Sequence, residues 1–505
     1  MITQLNGFLL TRQWRDTNNG IELTFWISTP AGPVRLLIEN EQAVCFIQQS
    51  NTIALPNNVS RKPLALKNLQ GEAVDGLYFT HQRDLNTLRE QLAFDKSQLF
   101  ESEIKPTERY LMERFITASM TVKGELIQHQ YYQEMRQPQL KKADYKPSLR
   151  WISLDIETHD LRGKLYSIAI STDKSHQVFM VQHPSHPSNT QHHSLNIHWC
   201  ENERAALSAC FEWVKQYDPD IILGWNVIGF DLAFLKWKCQ ALELPFALGR
   251  GGDTATVLEA QNSGQVAVAR IPGRIVLDGI ASLKGAFWSF DHFALGNVAK
   301  QMLGDDKLIT GESNKLETIR RQYLEEPEAL AAYNLQDCQL VARIFAKADL
   351  INFSLERARM TGLAADRQGG STAAFDNLYL PQLHRQGYVA PDIGSLLSVT
   401  SSPGGYVMDS TPGLYNNVLV LDFKSLYPSI IRTFKIDPMG LAIGLSAQEN
   451  IDHNTVIPGF LDAQFSRDQH ILPNLVTQLW HDRDLAKQAN DAPLSHAIKI
   501  IMNSF

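Results

Sequence analysis

The stretch WISLDIE, at residues 151–157, places an acidic pair at the end of a run of apolar residues. Two similar runs follow, KLYSIAIST at 164–172 and HQVFMVQ at 176–182, and together they predict three neighbouring strands. Asp155 and Glu157 are two residues apart, so both side chains point to the same face of the first strand. The stretch therefore predicts a sheet with two carboxylates on one face.

Helical and strand patterns alternate beyond these three runs. Residues 203–217, ERAALSACFEWVKQY, have the apolar spacing of an amphipathic helix, and IILGW at 221–225 predicts another strand. Residues 328–348, EALAAYNLQDCQLVARIFAKA, predict a long helix by the same spacing. Strands that end in acidic residues, with helices packed against them, indicate an α/β domain with a site at the strand ends.

The N-terminal region has a different pattern, which predicts mostly β structure over roughly the first 145 residues. Asn18-Asn19-Gly20 suits a tight hairpin turn, and Pro30-Ala31-Gly32 predicts a second turn. The polar stretch from Arg136 to Pro147 is interpreted as a linker. The fold class predicted for the whole chain is therefore multi-domain α/β with a β-rich N-terminal domain.

Composition sets the class of protein. The chain has 505 residues, 44% apolar and 20% charged, which is typical of a globular protein of about three domains and excludes disorder, collagen and a coiled-coil rod. No apolar run approaches the ~20 residues that a membrane span needs, and the start, MITQLNGFLLTRQW, lacks the features of a signal peptide. The five cysteines are scattered without a CxxC pair, which indicates reduced thiols in the cytoplasm.

The net charge of −7 does not indicate a nucleic-acid partner, so any phosphate-binding surface must be local. Excess acid is also compatible with carboxylates that hold divalent metals. A histidine-rich insert is interpreted as a solvated surface loop rather than a metal site, because no pair of ligands lies on a regular element. Its histidines are His176, His183, His186, His192, His193 and His198.

Further acidic residues can complete a metal site with the pair on the first strand. Asp231 follows the turn Gly224-Trp225-Asn226, and Tyr333 and Asp337 are four apart on the predicted long helix, hence on one face. Four carboxylates and a phenol from three segments could bind two Mg²⁺ or Mn²⁺ ions, with Tyr333 positioning or helping to activate a water. The alternative interpretation is that Asp155 and Glu157 are exposed acids at a strand end.

In this order and spacing the motifs resemble the three exonuclease motifs of the DEDD superfamily, in its tyrosine-bearing branch. The resemblance implies an RNase H-like fold and 3′→5′ removal of nucleotides, with Asn226 and Phe230 as substrate-binding residues. The segment Gly273-Arg274-Ile-Val-Leu-Asp278-Gly279 fits the same family. Its Arg274 is interpreted as structural or near DNA, without a catalytic role.

A second site is predicted at Asp422-Phe-Lys-Ser425-Leu426-Tyr427-Pro-Ser-Ile-Ile. Asp422 ends a predicted buried strand, VLVLD, and can hold a metal. The turn that follows can direct the backbone N–H groups of Ser425, Leu426 and Tyr427 towards a triphosphate, and the Tyr427 ring could exclude a ribose 2′-OH. The string resembles motif A of the family B DNA polymerases, and the alternative is an ordinary strand, turn and helix with a buried tyrosine.

Two amphipathic helices are predicted at the end of the chain. Arg483 and Lys487 share a face of the first, and Lys499 and Asn503 share a face of the second. Cations on one side of a helix pair suit the phosphates of an incoming nucleotide, although such pairs are ordinarily solvated. The segment Lys499-Ile-Ile-Met-Asn503-Ser resembles the start of motif B in the fingers of the same family.

The resemblance to family B covers nearly the whole chain, in the family's motif order. It implies metal binding by Asp155, Glu157, Asp231 and Asp337, with Tyr333 assisting, and by Asp422 and the backbone carbonyl of Phe423, with two Mg²⁺ or Mn²⁺ ions per site. The predicted domains are an N-terminal domain (1–147), an RNase H-like 3′→5′ exonuclease domain (148–365), a partial palm with motif A (366–465) and truncated fingers helices (466–505).

One departure limits what these residues are expected to do. The family's motif C, with its second palm carboxylate, follows motif B, and this sequence stops first; Gly252-Asp253-Thr254-Ala255 is a loop that lacks the second Asp. The expectation is a fragment of a family B DNA polymerase in which only the exonuclease is active. The alternatives are a stand-alone DEDD-type exonuclease and an inactive DNA-binding relative of the polymerases.

The resemblance also implies the biological setting of the parent protein. It is expected to be a monomeric DNA-directed DNA polymerase that uses dNTPs, proofreads, and serves DNA replication or repair. Its expected partners are primer-template and single-stranded DNA, with a sliding clamp as a partner of the full-length protein and no membrane. The expected location is the bacterial cytoplasm, at the nucleoid.

Overall fold

A computed structural model describes residues 2–92, 99–183, 195–260, 266–305, 315–395, 407–446 and 454–504. The chain divides into two compact units, and each is discontinuous in sequence. Unit 1 contains residues 1–13, 23–38 and 114–370, and unit 2 contains residues 14–22, 39–113 and 371–505.

The secondary structure alternates between strands and helices through most of the chain. The strands are β1 Ile2–Thr17, β2 Gly20–Thr29, β3 Gly32–Glu41, β4 Ala43–Gln48, β5 Val59–Lys67, β6 Ala73–Phe79, β7 Leu99–Phe100, β8 Ser119–Gln128, β9 Gln133–Arg136, β10 Gln139–Lys142, β11 Trp151–Thr158, β12 Leu165–Ser171, β13 His176–Val181, β14 Ile197–Cys200, β15 Ile221–Gly224, β16 Thr256–Leu258, β17 Val268–Arg270, β18 Ile275–Asp278, β19 Val456–Pro458 and β20 Gln464–Ser466. The helices are α1 Gln82–Gln91, α2 Pro106–Met112, α3 Glu203–Tyr217, α4 Asp231–Ala241, α5 Gly279–Gly285, α6 Leu295–Leu303, α7 Lys315–Glu325, α8 Pro327–Lys347, α9 Leu350–Thr361, α10 Ser371–Arg385, α11 Leu426–Phe434, α12 Pro438–Ser446, α13 Leu472–Gln488 and α14 Ala492–Ser504.

The N-terminal strands form a six-stranded sheet in the order β1-β2-β3-β9-β8-β10, and β1 also pairs with β8. Both predicted turns are confirmed, because β1 ends at Thr17 before Asn18 and β3 begins at Gly32. The predicted linker at 136–147 is wrong in part. Residues 139–142 form β10 and pair with β8, with Leu140 opposite Val122 and buried. The polar neighbours of Leu140 concealed a strand that a single apolar residue anchors.

The central sheet of unit 1 has the order β14-β13-β12-β11-β15-β18. The predicted meander is confirmed, since β11, β12 and β13 pair antiparallel in sequence order. β15 then pairs parallel with β11, and β18 pairs parallel with β15. Three antiparallel strands extended by parallel ones, with helices packed against them, confirm the α/β fold class.

The two faces of β11 bury different groups. Ile152, Leu154 and Ile156 point to the face covered by α3 and α4, where they join a large apolar cluster. The residues between them point to the opposite face, which α8 covers. The period-2 alternation of WISLDIE therefore places both acidic side chains beneath the long helix.

Unit 2 contains a four-stranded sheet in the order β5-β6-β4-β7. The residues after α10 extend it, with isolated bridges from Lys67 to Tyr388 and from Phe100 to Pro391. Further along the chain, the buried carboxylate of Asp437 accepts hydrogen bonds from Gly440 N and Leu472 N, both at 2.7 Å. One carboxylate thus satisfies backbone N–H groups at the starts of both α12 and α13.

The predicted strand VLVLD is wrong in this structure. Residues 418–422 have no regular secondary structure, and Val420 and Leu421 are 90% and 89% exposed. A strand needs a neighbour to satisfy its backbone N–H and C=O groups, and no described strand pairs with this segment. High β propensity alone does not supply that neighbour.

The prediction of a solvated histidine loop is wrong for two of the six histidines. His176 begins β13 and His198 lies on β14, which pair in parallel register with Val178 opposite Ile197. His186, His192 and His193 lie outside the described residues. Within the described ranges, no helix combines the length and the apolar character that crossing a membrane requires.

Candidate active site

The candidate site begins on the face of β11 that looks towards α8. Asp155 is half-buried and Glu157 is buried. In the antiparallel pairing with β12, Asp155 lies opposite Ala169 and Glu157 lies opposite Ser167. The central position of β11 in the sheet fixes the backbone that carries both carboxylates.

Helix α8 supplies the other half of the site. Tyr333 and Asp337, four residues apart, both face the sheet and are buried, as their spacing predicted. The thiol of Cys338 donates a hydrogen bond to Ala169 O at 3.4 Å, and so attaches the helix directly to β12. The helix is therefore held in register with the strand that carries the acidic pair.

Three of the predicted carboxylates come together at this contact. Asp155, Glu157 and Asp337 each offer an oxygen, and the three oxygens lie within 4.8 Å of one another. All are hard oxygen donors, the ligand type that Mg²⁺ and Mn²⁺ prefer. The donor set therefore fits a divalent metal.

Asp231, the fourth predicted carboxylate, lies beside this group but is not one of the three residues whose oxygens lie within 4.8 Å of one another. It is the first residue of α4, is 1% exposed, and accepts a hydrogen bond from Ile156 N at 3.0 Å. Burial raises its pKa well above the usual range, and the nearby charges of Asp155 and Glu157 raise it further. The hydrogen bond from Ile156, which lies between Asp155 and Glu157 in the chain, places Asp231 next to the group and ties one of its oxygens to the backbone of β11.

Tyr333 is fully buried in the same place. Burial raises the pKa of its phenol far above 10, and the charges of Asp337, Glu157 and Asp155 add to the shift. A hydrogen bond to Asp337 acts in the same direction. Tyr333 therefore carries an O–H group that can donate a hydrogen bond at the site.

Sequence reasoning missed Asn334, which is also fully buried at the site. Its side-chain nitrogen donates to Asp155 Oδ2 at 2.7 Å, and its side-chain oxygen accepts from Ser167 Oγ at 2.8 Å. The available signal was its position three residues before Asp337, which puts it on the same helical face.

The turn before α4 holds the predicted substrate-binding residues Asn226 and Phe230. Asn226 is exposed in the left-handed region, with φ 56°, and its carbonyl accepts from Phe230 N at 2.9 Å. Phe230 is half-buried and immediately precedes α4. Trp225 donates from Nε1 to Phe293 O at 2.9 Å, which connects this turn to the loop after α5.

The loop after α5 exposes aromatic rings that sequence reasoning also missed. Phe287 is 72% exposed and Trp288 is 41% exposed, with the Trp288 ring parallel to that of Phe290. Phe287 N bonds Lys284 O and Trp288 N bonds Leu283 O, both at 3.0 Å, in the Schellman pattern that ends a helix. Phe287, at φ 60°, occupies the left-handed position that usually belongs to glycine.

Arg274 is structural, one of the two roles considered for it. Its side chain is 1% exposed, donates to Leu248 O at 2.9 Å and pairs with Asp218 at 3.0 Å. Burial, with the charge of Arg250, lowers its pKa to about 9. A guanidinium enclosed in this way has no surface to offer DNA.

The residues of the second predicted site lie in unit 2. Asp422 and Phe423 are exposed in the segment without secondary structure. Ser425, with φ 53°, makes the predicted tight turn, and Leu426 and Tyr427 begin α11. Here the predicted turn and helix are present, while the strand that should carry the acid is absent from the described residues.

The predicted fingers residues lie on two helices that pack against each other, α13 and α14. Arg483 is half-buried and Lys487 is exposed on α13. Lys499 and Asn503 are exposed on α14. Both predicted helices are therefore present and carry these residues. Their role in binding a nucleotide stays a prediction.

Comparison with known families divides the chain into three matches. Residues 97–288 match the exonuclease domain of DNA polymerase family B. Residues 7–42 match the N-terminal region of DNA polymerase II, and residues 367–504 match DNA polymerase family B. The matched regions contain β11 with its acidic pair and the motif A string.

A curated relative extends the match over almost the whole chain. DNA polymerase II of Escherichia coli K12 is 43% identical over 507 residues, which cover 99% of this chain and 63% of that protein. The chain belongs to family B of the DNA polymerases. The catalytic subunit of DNA polymerase delta of Caenorhabditis elegans, another relative, is 29% identical over 58% of the chain and 28% of its own length.

A solved family B structure has the same fold. The family B DNA polymerase from the hyperthermophilic archaeon Pyrobaculum calidifontis superposes with a TM-score of 0.77, over 99% of this chain and 67% of that one. Sequence identity is 18%, so this likeness establishes the fold alone. The chain thus spans 63% of the length of the Escherichia coli protein and 67% of the archaeal one.

Proposed function

We propose that this chain contains a metal-dependent 3′→5′ exonuclease that removes nucleotides from DNA ends, within a longer DNA polymerase. The observation that carries the proposal is the group formed by Asp155, Glu157 and Asp337, whose oxygens lie within 4.8 Å of one another. Exposed strand-end acids would not be buried beneath a helix, so this observation disfavours the alternative interpretation of Asp155 and Glu157.

The proposed metal ligands are Asp155, Glu157 and Asp337, with Asp231 as a fourth carboxylate. Mg²⁺ or Mn²⁺ bound there would supply an activated water and charge stabilisation for the attacking and leaving oxygens of a phosphodiester. Tyr333 keeps its proton, because burial and the surrounding carboxylates raise its pKa. Its O–H is proposed to orient the attacking water or a phosphate oxygen.

The proposed substrate is a single-stranded 3′ end, such as the frayed end of a mismatched primer. Exposed aromatic rings bind single strands because every base has a face that can stack on them. Phe287 and Trp288 provide such rings, on a loop that Trp225 connects to the turn before Asp231. Asn226 and Phe230, in that turn, are proposed to contact the terminal nucleotide.

The test is a time course with a 5′-labelled primer-template that carries a mismatched 3′ end, in Mg²⁺, with and without dNTPs. We expect stepwise shortening that EDTA and Asp155→Ala abolish. Glu201→Ala is the matched control, because it removes an exposed carboxylate of unit 1 and should leave the rate unchanged. Shortening that persists in Asp155→Ala would refute the proposed site.

A second proposed function, DNA synthesis, belongs to the longer protein and is supported by the family match over residues 367–504. The proposed palm ligands are Asp422 and the carbonyl of Phe423, and the triphosphate would contact the backbone of Ser425, Leu426 and Tyr427. On the fingers helices the proposed contacts are Arg483, Lys487, Lys499 and Asn503.

These 505 residues alone are expected to degrade DNA without extending it, because the motif A string supplies one carboxylate side chain, Asp422, and a two-metal site needs further acidic ligands. Addition of dNTPs to the time course tests this, and template-dependent extension would contradict it. Protein that binds the primer-template without shortening it would favour the alternative of an inactive DNA-binding relative of the polymerases. The alternative of a stand-alone exonuclease predicts that the longer protein, too, fails to extend a primer.

The remaining proposals concern organisation and setting. The four domains, at 1–147, 148–365, 366–465 and 466–505, stay predictions, as do replication or repair synthesis, monomeric state, primer-template binding and a sliding clamp as partner of the longer protein. Location at the bacterial nucleoid is proposed on the same grounds. Limited proteolysis would test the boundaries, and a protein that resists cleavage near residue 147 while it is cut elsewhere would contradict the first of them.

A further inference from the structure

Asn334 is a buried polar residue that the proposed chemistry does not use. It lies in the middle of α8, next to Tyr333 and three residues before Asp337. Its side chain is 0% exposed. A buried amide costs free energy unless its groups are hydrogen-bonded, so its partners need an account.

Both ends of the Asn334 side chain have a partner on the central sheet. The nitrogen donates to Asp155 Oδ2 at 2.7 Å, and the oxygen accepts from Ser167 Oγ at 2.8 Å. Ser167 is also 0% exposed, and on β12 it lies opposite Glu157 of β11. One amide therefore connects α8 to both strands that border the carboxylate group.

The chemistry of the partners fixes the orientation of the amide. An ionised carboxylate only accepts hydrogen bonds, so the NH₂ end of Asn334 must face Asp155. The carbonyl end must then meet a donor, and the Ser167 hydroxyl is that donor. This arrangement holds one oxygen of Asp155 in a fixed direction, and with it the plane of the whole carboxylate.

We propose that Asn334 is a positioning residue that orients the Asp155 carboxylate for the metal and thereby sets the metal affinity of the site. The proposal rests on the proposed exonuclease, because it assigns Asn334 to the same metal site. Residues that orient a metal ligand from outside the coordination shell typically change metal affinity or activity by about 10–100-fold when they are replaced. Ser167 acts one step further away, through Asn334.

A purely structural role would make a different prediction. If Asn334 only attached α8 to the sheet, its loss would lower the stability of unit 1 and leave metal affinity unchanged. The test therefore measures metal binding directly, in the whole chain and without DNA. Mn²⁺ is the probe, because its electron paramagnetic resonance signal reports bound and free ion separately.

The principal variant is Asn334→Leu, which keeps the branched shape of the side chain and removes both hydrogen bonds. We expect Mn²⁺ affinity to fall about 10–100-fold, and the Mg²⁺ concentration for half-maximal cleavage to rise by a similar factor. Gln339→Leu is the matched control, an exposed amide on the same helix, and should change neither. Unchanged Mn²⁺ affinity in a folded Asn334→Leu protein would overturn the proposal.

Ser167→Ala keeps the proposal testable if Asn334→Leu does not fold. It removes only the donor that holds the Asn334 carbonyl, so we expect a smaller loss of Mn²⁺ affinity, about two- to tenfold. No loss would overturn the proposal. Wild-type protein that binds Mn²⁺ but does not shorten DNA would refute the exonuclease, while the Asn334 variants would still decide the positioning role.

Discussion

The carboxylates beneath α8 and the acid of motif A differ in how their surroundings hold them. Asp155 and Glu157 lie on a strand with a partner on each side, and the helix above them is bonded to that sheet. Asp422 lies in an exposed segment that no described strand pairs with. The acidic pair and Asp422 each come at the end of an apolar run in the sequence. An apolar run alone therefore does not determine whether the acid that follows it is held in a folded sheet.

The first prediction tests whether the buried group is the functional one of the two. Asp337→Asn removes a charge and keeps the shape of the side chain. We expect the rate of 3′ shortening to fall about a thousandfold, because residues that act as one catalytic unit each carry a large share of the rate.

Measurement of single-turnover shortening in Mg²⁺ checks this prediction. Circular dichroism of the same sample provides the control, because a folded Asp337→Asn protein should give the wild-type spectrum. If a folded variant shortened DNA within tenfold of the wild-type rate, Asp337 would not take part in the reaction. The buried group would then differ less from the motif A region than proposed.

The second prediction compares the two apolar runs by the same substitution. Leu154, on β11, is 1% exposed, whereas Leu419 is 85% exposed. We expect Leu154→Ala to lower the free energy of unfolding by about 3 kcal/mol, since it leaves a cavity in a packed core. Leu419→Ala should change it by less than about 0.5 kcal/mol.

Urea denaturation of both variants measures this difference. Each serves as the control for the other, because the chemical change is identical. Equal losses of stability would mean that residues 418–422 are packed in solution, and the contrast between the two regions would then disappear.

The third prediction concerns a cluster of close ion pairs in unit 2, the unit that also contains the exposed segment with Asp422. His384 lies between Glu101, at 2.9 Å, and Glu113, at 3.0 Å, with Arg109 also paired to Glu101. The two carboxylates overcome the effect of burial and raise the pKa of His384 to about 9. The folded state therefore binds a proton that the unfolded state releases near pH 6.5.

This pKa shift stabilises the protein fully below about pH 6.5, and the stabilisation is lost as the pH rises through 9. We expect a loss on the order of 2 kcal/mol across that window, which denaturation at a series of pH values would measure. His384→Gln should flatten the curve between pH 6.5 and 9. The same slope in wild type and His384→Gln would show that the group does not titrate as described.

Much of the candidate site could be predicted, because it depends on the two-residue and four-residue spacings of strands and helices. The two-residue spacing of Asp155 and Glu157 and the four-residue spacing of Tyr333 and Asp337 fix which way each pair faces. Their meeting was implied by the resemblance to known exonucleases. Helical spacing also places Asn334 on this face of the helix, but its hydrogen bonds depend on Ser167 lying opposite Glu157, a register that the sequence does not display.

The errors have a common physical cause. VLVLD has strong strand propensity, but pairing needs a neighbour that local sequence does not reveal. Residues 139–142 have weak propensity, yet pair with β8 because that strand offers its backbone groups. Strand formation in both places is decided by the partner strand, whereas a helix satisfies most of its own backbone groups.

The last prediction has the smallest effect on stability, and it separates stability from function within one residue. Phe287 occupies the left-handed position after α5, where glycine has no steric penalty. Phe287→Gly should therefore leave the free energy of unfolding unchanged or raise it by at most about 1 kcal/mol. The melting temperature should then stay the same or rise. Loss of the exposed ring should weaken binding of a single-stranded oligonucleotide, by up to about 3 kcal/mol if the ring stacks fully on a base.

Fluorescence anisotropy measures this binding, and Asp337→Asn as the background avoids cleavage during the measurement. Leu161→Gly, which removes another exposed apolar side chain of unit 1, is the control for general surface effects. A Phe287→Gly protein that binds DNA normally would mean that the ring is exposed for another purpose, and that the site takes its DNA specificity from the turn at Asn226 and Phe230 alone.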